Sequence, residues 1–149
     1  MIAEVLEPPT GFAAFDRPSP LVDPWRPIFA KPKPGKLILG LFVRPEHMNS
    51  RHTAHGGLYA ALADWAMGLS CGVRLQDEAI AFKTLWTTSL TVDYLGKAKE
   101  GQWLTFDTTF VSVGRAFCHA ECDIAADWQT VARARGSFNV AAPHPSSSS

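Results

Sequence analysis

Apolar positions change their spacing along the chain. Residues 36–44 hold the run Leu-Ile-Leu-Gly-Leu-Phe-Val, short enough for a strand and ended by Pro45. Residues 46–54 are polar and read as a loop. From about 56 to 71, apolar residues fall on nearly every face of a helix. Residues 82–95 then alternate. Trp86, Leu90, Val92 and Tyr94 fall on one face with Thr88, and Thr87, Ser89, Thr91 and Asp93 on the other. Gly101 marks a turn before a third strand over 103–113, and Gly114-Arg115 is a tight hairpin connection. Residues 116–125 alternate again, residues 126–129 turn, and 131–140 form the last strand, with Ala132, Ala134, Gly136, Phe138 and Val140 inward.

One helix and five to six strands, mostly joined by short turns, predict an α+β fold with an antiparallel sheet. A helix that is apolar nearly all round needs the sheet on one side and another cover on the other. A second subunit is a natural cover.

The flanks differ. Residues 1–35 carry eight of the eleven prolines, which excludes a long regular element there. Residues 21–30 are expected to form one short helix or turn packed on the core. The tail over 141–149 is low in complexity and expected to be disordered. The organisation is therefore a Pro-rich extension (1–35), one domain (36–140) and a tail.

A chain of 149 residues with 46% hydrophobic residues can bury one sizeable core. Its formal net charge of zero points to neither nucleic acid nor an anionic membrane, and makes self-association easy. Three cysteines (Cys71, Cys118 and Cys122) without metal-ligand spacing fit reduced thiols in a cytoplasmic protein. The first residues lack the pattern of a signal peptide. The central helix invites comparison with a membrane span, but Asp64, His55 and its glycines favour a protein core. No spacing among the five histidines suggests a metal site.

Asp64 is the only formally charged side chain between Arg51 and Arg74. Removing a carboxylate from water is costly unless it is paired or hydrogen-bonded. On a helical wheel Leu58, Leu62, Trp65, Ala66 and Leu69 form the arc expected to pack on the sheet. Asp64 stands apart from it with Gly57, Ala60, Ala61, Gly68 and Cys71. Two readings remain open at this level: a close helix contact in which Asp64 pairs with a neighbour, or a ligand site. His55-Gly56-Gly57 opens the helix, where amides lack intrahelical partners and carry the positive end of the dipole. Glycine lets a carbonyl oxygen reach those amides, as an oxyanion hole requires. His55 could instead cap the helix, Asn49 could be a turn former, and Thr87 could reflect strand preference alone. Cys71 has no basic partner to make it a nucleophile. Trp86, Trp103 and Tyr94 are read as core.

The stretch from Asn49 through His55-Gly56-Gly57 to Asp64 resembles the hot-dog fold acyl-CoA thioesterases, in the branch of phenylacetic-acid-pathway and 4-hydroxybenzoyl-CoA-type enzymes. Residues 87–98, Val113-Gly-Arg115 and 131–138 resemble that family's later strands, so the resemblance covers roughly 36–140. Where the family commonly has glycine three residues after the asparagine, this chain has His52. The resemblance implies a long central helix wrapped by an antiparallel sheet, with two copies pairing and often assembling further into homotetramers. It implies that Gly57 N–H meets the thioester carbonyl, and that Asp64 of the other subunit is nucleophile or general base. It assigns orientation of the nucleophile or water to Asn49, contact near the thioester to His55, and assistance by a hydroxyl to Thr87. Gly56 and Arg115 are the positions expected to meet CoA.

The expected reaction is hydrolysis of an acyl-CoA thioester, with CoA as part of the substrate and no separate cofactor or metal. Gly57 and Asp64 are seven residues, or about 10 Å, apart along one helix, too far to serve one carbonyl. A homodimer is therefore expected to be the active form. The alternatives are a non-catalytic acyl-CoA-binding protein and a hot-dog hydratase or dehydratase. The last pairs its acid with a nearby histidine, whereas here none follows Asp64 before His119.

Overall fold

The computed structural model describes residues 6–144. Residues 1–5 of the extension and 145–149 of the expected tail lie outside the described residues. The described residues form seven strands and one long helix: β1 (Ala13–Ala14), β2 (Phe29–Lys33), β3 (Lys36–Phe42), α1 (Gly56–Asp77), β4 (Thr84–Tyr94), β5 (Trp103–Val113), β6 (Phe117–Ala126) and β7 (Gln129–Ala141). They form one antiparallel sheet in the order β1-β2-β3-β5-β6-β7-β4. Short 3-10 turns lie at Asp23–Trp25 and Pro45–His47.

The sheet is larger than the five to six strands expected, because the Pro-rich extension adds β1 and β2. Proline is tolerated here because β1 pairs only with Phe29 and Ala30. Pro32 pairs with Leu37 of β3 on one side, so its missing N–H costs no ladder bond on the other. The turn expected over 21–30 is the one at Asp23–Trp25, and Val22 and Ile28 on either side of it are buried. On the outer face of the sheet Phe12, Phe29 and Phe42 surround Trp103, with Phe12 edge-on at 5.0 Å. Gly40 is required there, since a Cβ would fall 2.3 Å from Cζ2 of Trp103.

α1 runs to Asp77, six residues beyond the expected end at Cys71. Arg74 and Glu78 pair at 3.1 Å across its last turn, and Ala79, with φ 55°, ends it. Its buried face is Leu58, Tyr59, Leu62, Ala63, Ala66, Met67, Ser70, Cys71 and Leu75. Trp65 and Leu69, expected on the sheet-packing arc, pack against the core but are only partly buried, and Cys71, expected on the open face, is fully buried. No helix of the described residues is long and apolar enough to cross a membrane.

β4 lies at one edge of the sheet and carries a bulge. Thr87 pairs with Phe138 and Ser89 with Ser137, leaving Thr88 as the extra residue. Directly opposed residues share a face. Leu85 and Thr87, opposite Val140 and Phe138, face the helix, as do Leu90, Val92 and Tyr94, opposite Gly136, Ala134 and Ala132. Trp86, opposite Asn139, faces out and is 52% exposed. The strict alternation read from the sequence put Trp86 inward and Thr87 outward. The bulge reverses both.

Candidate functional site

Asp64 is half-buried, and its Oδ1 accepts a hydrogen bond from Thr87 Oγ1 at 2.5 Å. A cavity of about 820 Å³ opens beside the pair. Trp65, Gly68 and Leu69 of α1, Phe82 and Leu85 before and within β4, and Phe138 of β7 line it. Phe15 and Arg17 of the N-terminal segment line it too. The Phe15 ring packs on Trp65 at 5.2 Å between centroids. The segment is held in place by Phe15 N–H donating to Ile28 O at 2.8 Å, and by the Arg26 guanidinium donating to the carbonyls of Phe15 and Arg17. Arg26 is itself paired with Asp23 at 3.0 Å. Sequence reasoning missed Phe15 and Arg17, because nothing local distinguishes a Pro-rich loop that lines a cavity from one that does not.

A second cavity of about 540 Å³ lies at the start of α1, lined by Asn49, Arg51, Gly56, Gly57, Tyr94 and Lys97 among others. The expected site residues thus fall into two groups. Asn49, Gly56 and Gly57 line one cavity, and Asp64 and Thr87 the other. Arg115 lies exposed between β5 and β6 and lines neither.

At the helix start Gly57 N–H donates to His55 Nδ1 at 2.8 Å, so His55 caps α1. A Cβ on Gly57 would sit 3.0 Å from that nitrogen, a tight contact that the capping ring would have to relieve by a small shift. Tyr94 O–H donates to Gly56 O at 2.6 Å and ties the end of β4 to the helix start. A Cβ on Gly56 would crowd the Tyr94 ring at 3.2 Å. Tyr94 is 52% exposed and lines the cavity, so it is not the core residue expected, whereas Trp103 is buried. The alternation already puts Tyr94 on one face with Leu90 and Val92, the face that meets the helix, but nothing in the sequence signals its bond to Gly56.

Asn49 builds the preceding loop. Its Oδ1 accepts from Arg51 N–H at 2.9 Å and Thr53 N–H at 3.3 Å, and its Nδ2 donates to Thr53 Oγ1 at 3.1 Å. His52 takes φ 60° in this loop, a backbone conformation that favours glycine. Behind it His47 is 1% exposed. His47 Nδ1 accepts from Arg44 N–H at 2.9 Å and its Nε2 donates to Trp25 O at 2.8 Å. That fixes a neutral imidazole, and burial lowers its pKa from the usual histidine value. His47 O in turn accepts His55 N–H at 2.8 Å, so a buried ring underlies the capping residue.

All three cysteines are free and buried. Burial pushes the Cys71 thiol up to about 12, which leaves it inert as a nucleophile. His119 sits on the outer face of the sheet, opposite Ser137, whose Oγ lies 2.9 Å from its Nδ1. It is on the far side of the sheet from Asp64.

A long helix wrapped by an antiparallel sheet, carrying an acid on the helix and glycines at its start, defines the hot-dog class. Solved structures agree on the fold. The phenylacetic acid degradation protein PaaI of Thermus thermophilus, in a point-mutant form, matches with TM-score 0.69 at 22% identity, over 81% of this chain and 98% of that one. The protein smu.793 of Streptococcus mutans, solved bound to acetyl-CoA, matches with TM-score 0.63 at 25% identity, over 74% of this chain and 85% of that one. The sequence pattern of the thioesterase superfamily matches residues 52–132, and the chain belongs to that family. A relative from Pseudomonas aeruginosa, named "Putative esterase PA0474", is 30% identical over 133 residues, covering 89% of this chain and 96% of the relative. Family and relative together define a thioesterase or esterase.

Proposed function

We propose that the protein hydrolyses acyl-CoA thioesters to free acid and CoA as a homodimer. Asp64 acts from one copy and Gly57 N–H from the other. The observation that carries this reading is the division of the site. The acid with its hydroxyl partner and the amide donor line different cavities about 10 Å apart on one helix. One copy cannot bring both to one carbonyl.

β4 supplies the means of joining two copies. Among the described residues it is an eleven-residue edge strand with one side unpaired, and Leu90 and Leu95 are exposed on or beside it. A long free edge is a template for another strand. Antiparallel pairing of two β4 strands near Leu90 brings the Tyr94 end of each copy to the Thr87 end of the other. Each Gly57 cavity then opens onto the partner's Asp64 cavity.

A water held by Asp64 gives its proton to the carboxylate as its oxygen adds to the carbonyl. The resulting oxyanion is met by Gly57 N–H of the partner subunit. Collapse breaks the C–S bond, and the CoA sulfur leaves with the proton from Asp64. In the nucleophilic variant the carboxylate itself adds, the thiolate leaves, and water hydrolyses the mixed anhydride. Thr87 orients the carboxylate in either case. His55 and Asn49 act through the helix start and the loop. Arg51 and Lys97, which line the Gly57 cavity, are better placed for CoA phosphates than Arg115. The bound acetyl-CoA of the Streptococcus mutans protein supports a CoA ester as the substrate.

Asp64→Asn tests the assignment. Free-thiol release from acyl-CoA should drop by about two to four orders of magnitude with the fold intact by circular dichroism. Turnover at the wild-type rate would sink it. The capped state of Gly57 N–H favours one second reading, an acyl-CoA-binding protein without turnover. Calorimetric binding with no thiol release by the wild type would establish that instead.

A further inference from the structure

The cavity beside Asp64 is not compact. Its lining residues on α1 are Asp64, Gly68, Gly72 and Gln76, with Trp65, Leu69 and Val73 beside them. That is one stripe along the helix, about 18 Å from end to end. Phe82, Leu85 and Thr87 run along it from the sheet side, in the opposite direction.

The two glycines in the stripe are not explained by packing within one copy. Each costs the helix about 1 kcal/mol relative to alanine. A Cβ on Gly68 would meet Phe138 at 3.5 Å and one on Gly72 would meet Phe82 at 3.6 Å, both ordinary contacts. Neither has a positive φ. What they provide is an open floor to a slot whose walls are Trp65, Leu69, Phe82, Leu85 and Phe138. Among the described residues Asp64 is the only acid that lines it, and it stands at one end. The cations that line it, Arg17 and Lys83, are exposed. Phe15, pinned by the Arg26 clamp, covers the slot at the Asp64 end by packing on Trp65.

We propose that this slot holds a straight acyl chain of roughly twelve to fourteen carbons, since an extended alkyl chain advances about 1.25 Å per C–C bond over a reach of about 18 Å, and that Phe15 of the N-terminal segment closes over its carbonyl end. The inference rests on the thioesterase reading and names its substrate class. An aryl or short acyl group would occupy only the end next to Asp64 and leave the glycine floor empty. Phe15 and Trp65 act as specificity residues, since they touch the chain and not the reacting atoms. Phe15 lies outside the stretch matched by the family pattern.

A panel of straight-chain acyl-CoAs from four to sixteen carbons, with phenylacetyl-CoA, tests this by free-thiol release. Wild type should favour dodecanoyl-CoA over butyryl-CoA by about tenfold or more in kcat/KM, because each buried methylene adds to binding. Gly72→Leu, which fills the floor without breaking the helix, should collapse that ratio by about tenfold, while Gly72→Ala shifts it less. Phe15→Ala should raise KM for dodecanoyl-CoA more than it changes kcat. Preference of the wild type for phenylacetyl- or butyryl-CoA would overturn the proposal, as would a ratio unmoved by Gly72→Leu in a folded variant. Calorimetry on the Asp64→Asn variant reads the same length dependence as affinity. If no acyl-CoA is hydrolysed, the catalytic reading fails, and the binding series still decides for or against the slot.

Discussion

Thr87 Oγ1 donates to Asp64 Oδ1 at 2.5 Å across the gap between the edge strand and the helix. A hydroxyl held this way fixes one carboxylate oxygen and leaves the other free to face water or carbonyl. The contact exists because Thr88 is an extra residue in β4, which turns Thr87 inward.

Thr87→Val keeps the shape and removes the bond. Hydrogen bonds to charged groups contribute about 1.5–3 kcal/mol, so kcat should fall about ten- to a hundredfold with little change in KM. Thr87→Ser should restore most of it. Equal kcat in wild type and Thr87→Val would show that the hydroxyl only packs.

His55→Ala should separate stability from chemistry. Loss of the cap costs about 1 kcal/mol and lowers the melting temperature. The Gly57 amide is then free of its internal acceptor, so KM should not rise. A rise in KM together with a hundredfold loss of kcat would make His55 a group that works on the thioester directly.

The edge strand offers a test of assembly. Leu90→Asp puts a charge at the point where two β4 strands would meet. Sedimentation should show monomers, and activity should disappear at concentrations where the wild type is active. An active monomer would refute the shared site.

His47 gives the stability a pH dependence. Its folded pKa lies below the unfolded value, so the unfolded chain binds the proton more readily. The contribution is full above about pH 6.5 and is lost as pH falls from there through the folded pKa. Thermal melts across this range should show His47→Gln losing part of the wild-type slope. An identical slope would mean another group dominates.

Much of this was legible in the chain. The helix start at His55-Gly56-Gly57, the acid seven residues on, and strands at 103–113 and 131–140 follow from glycine placement and alternation, which are local properties. Three things were not. The bulge at Thr88 changes which residues face inward without changing composition, so Trp86 was read as core when it faces out. The N-terminal prolines argue against strands locally, yet β2 accepts Pro32 because β1 is only two residues long. The capping of Gly57 by His55 was one of two open readings, and only the 2.8 Å contact decides that the ring is there.

Trp65 stands on the wall of the slot beside Asp64, half-buried and touching Phe15. Trp103 is sealed in its aromatic cluster, and Trp86 and Trp128 face solvent. Of these four indoles, Trp65 alone borders the slot, so its emission would change colour as the slot fills. The molecule carries its own optical gauge of occupancy, readable without label or turnover.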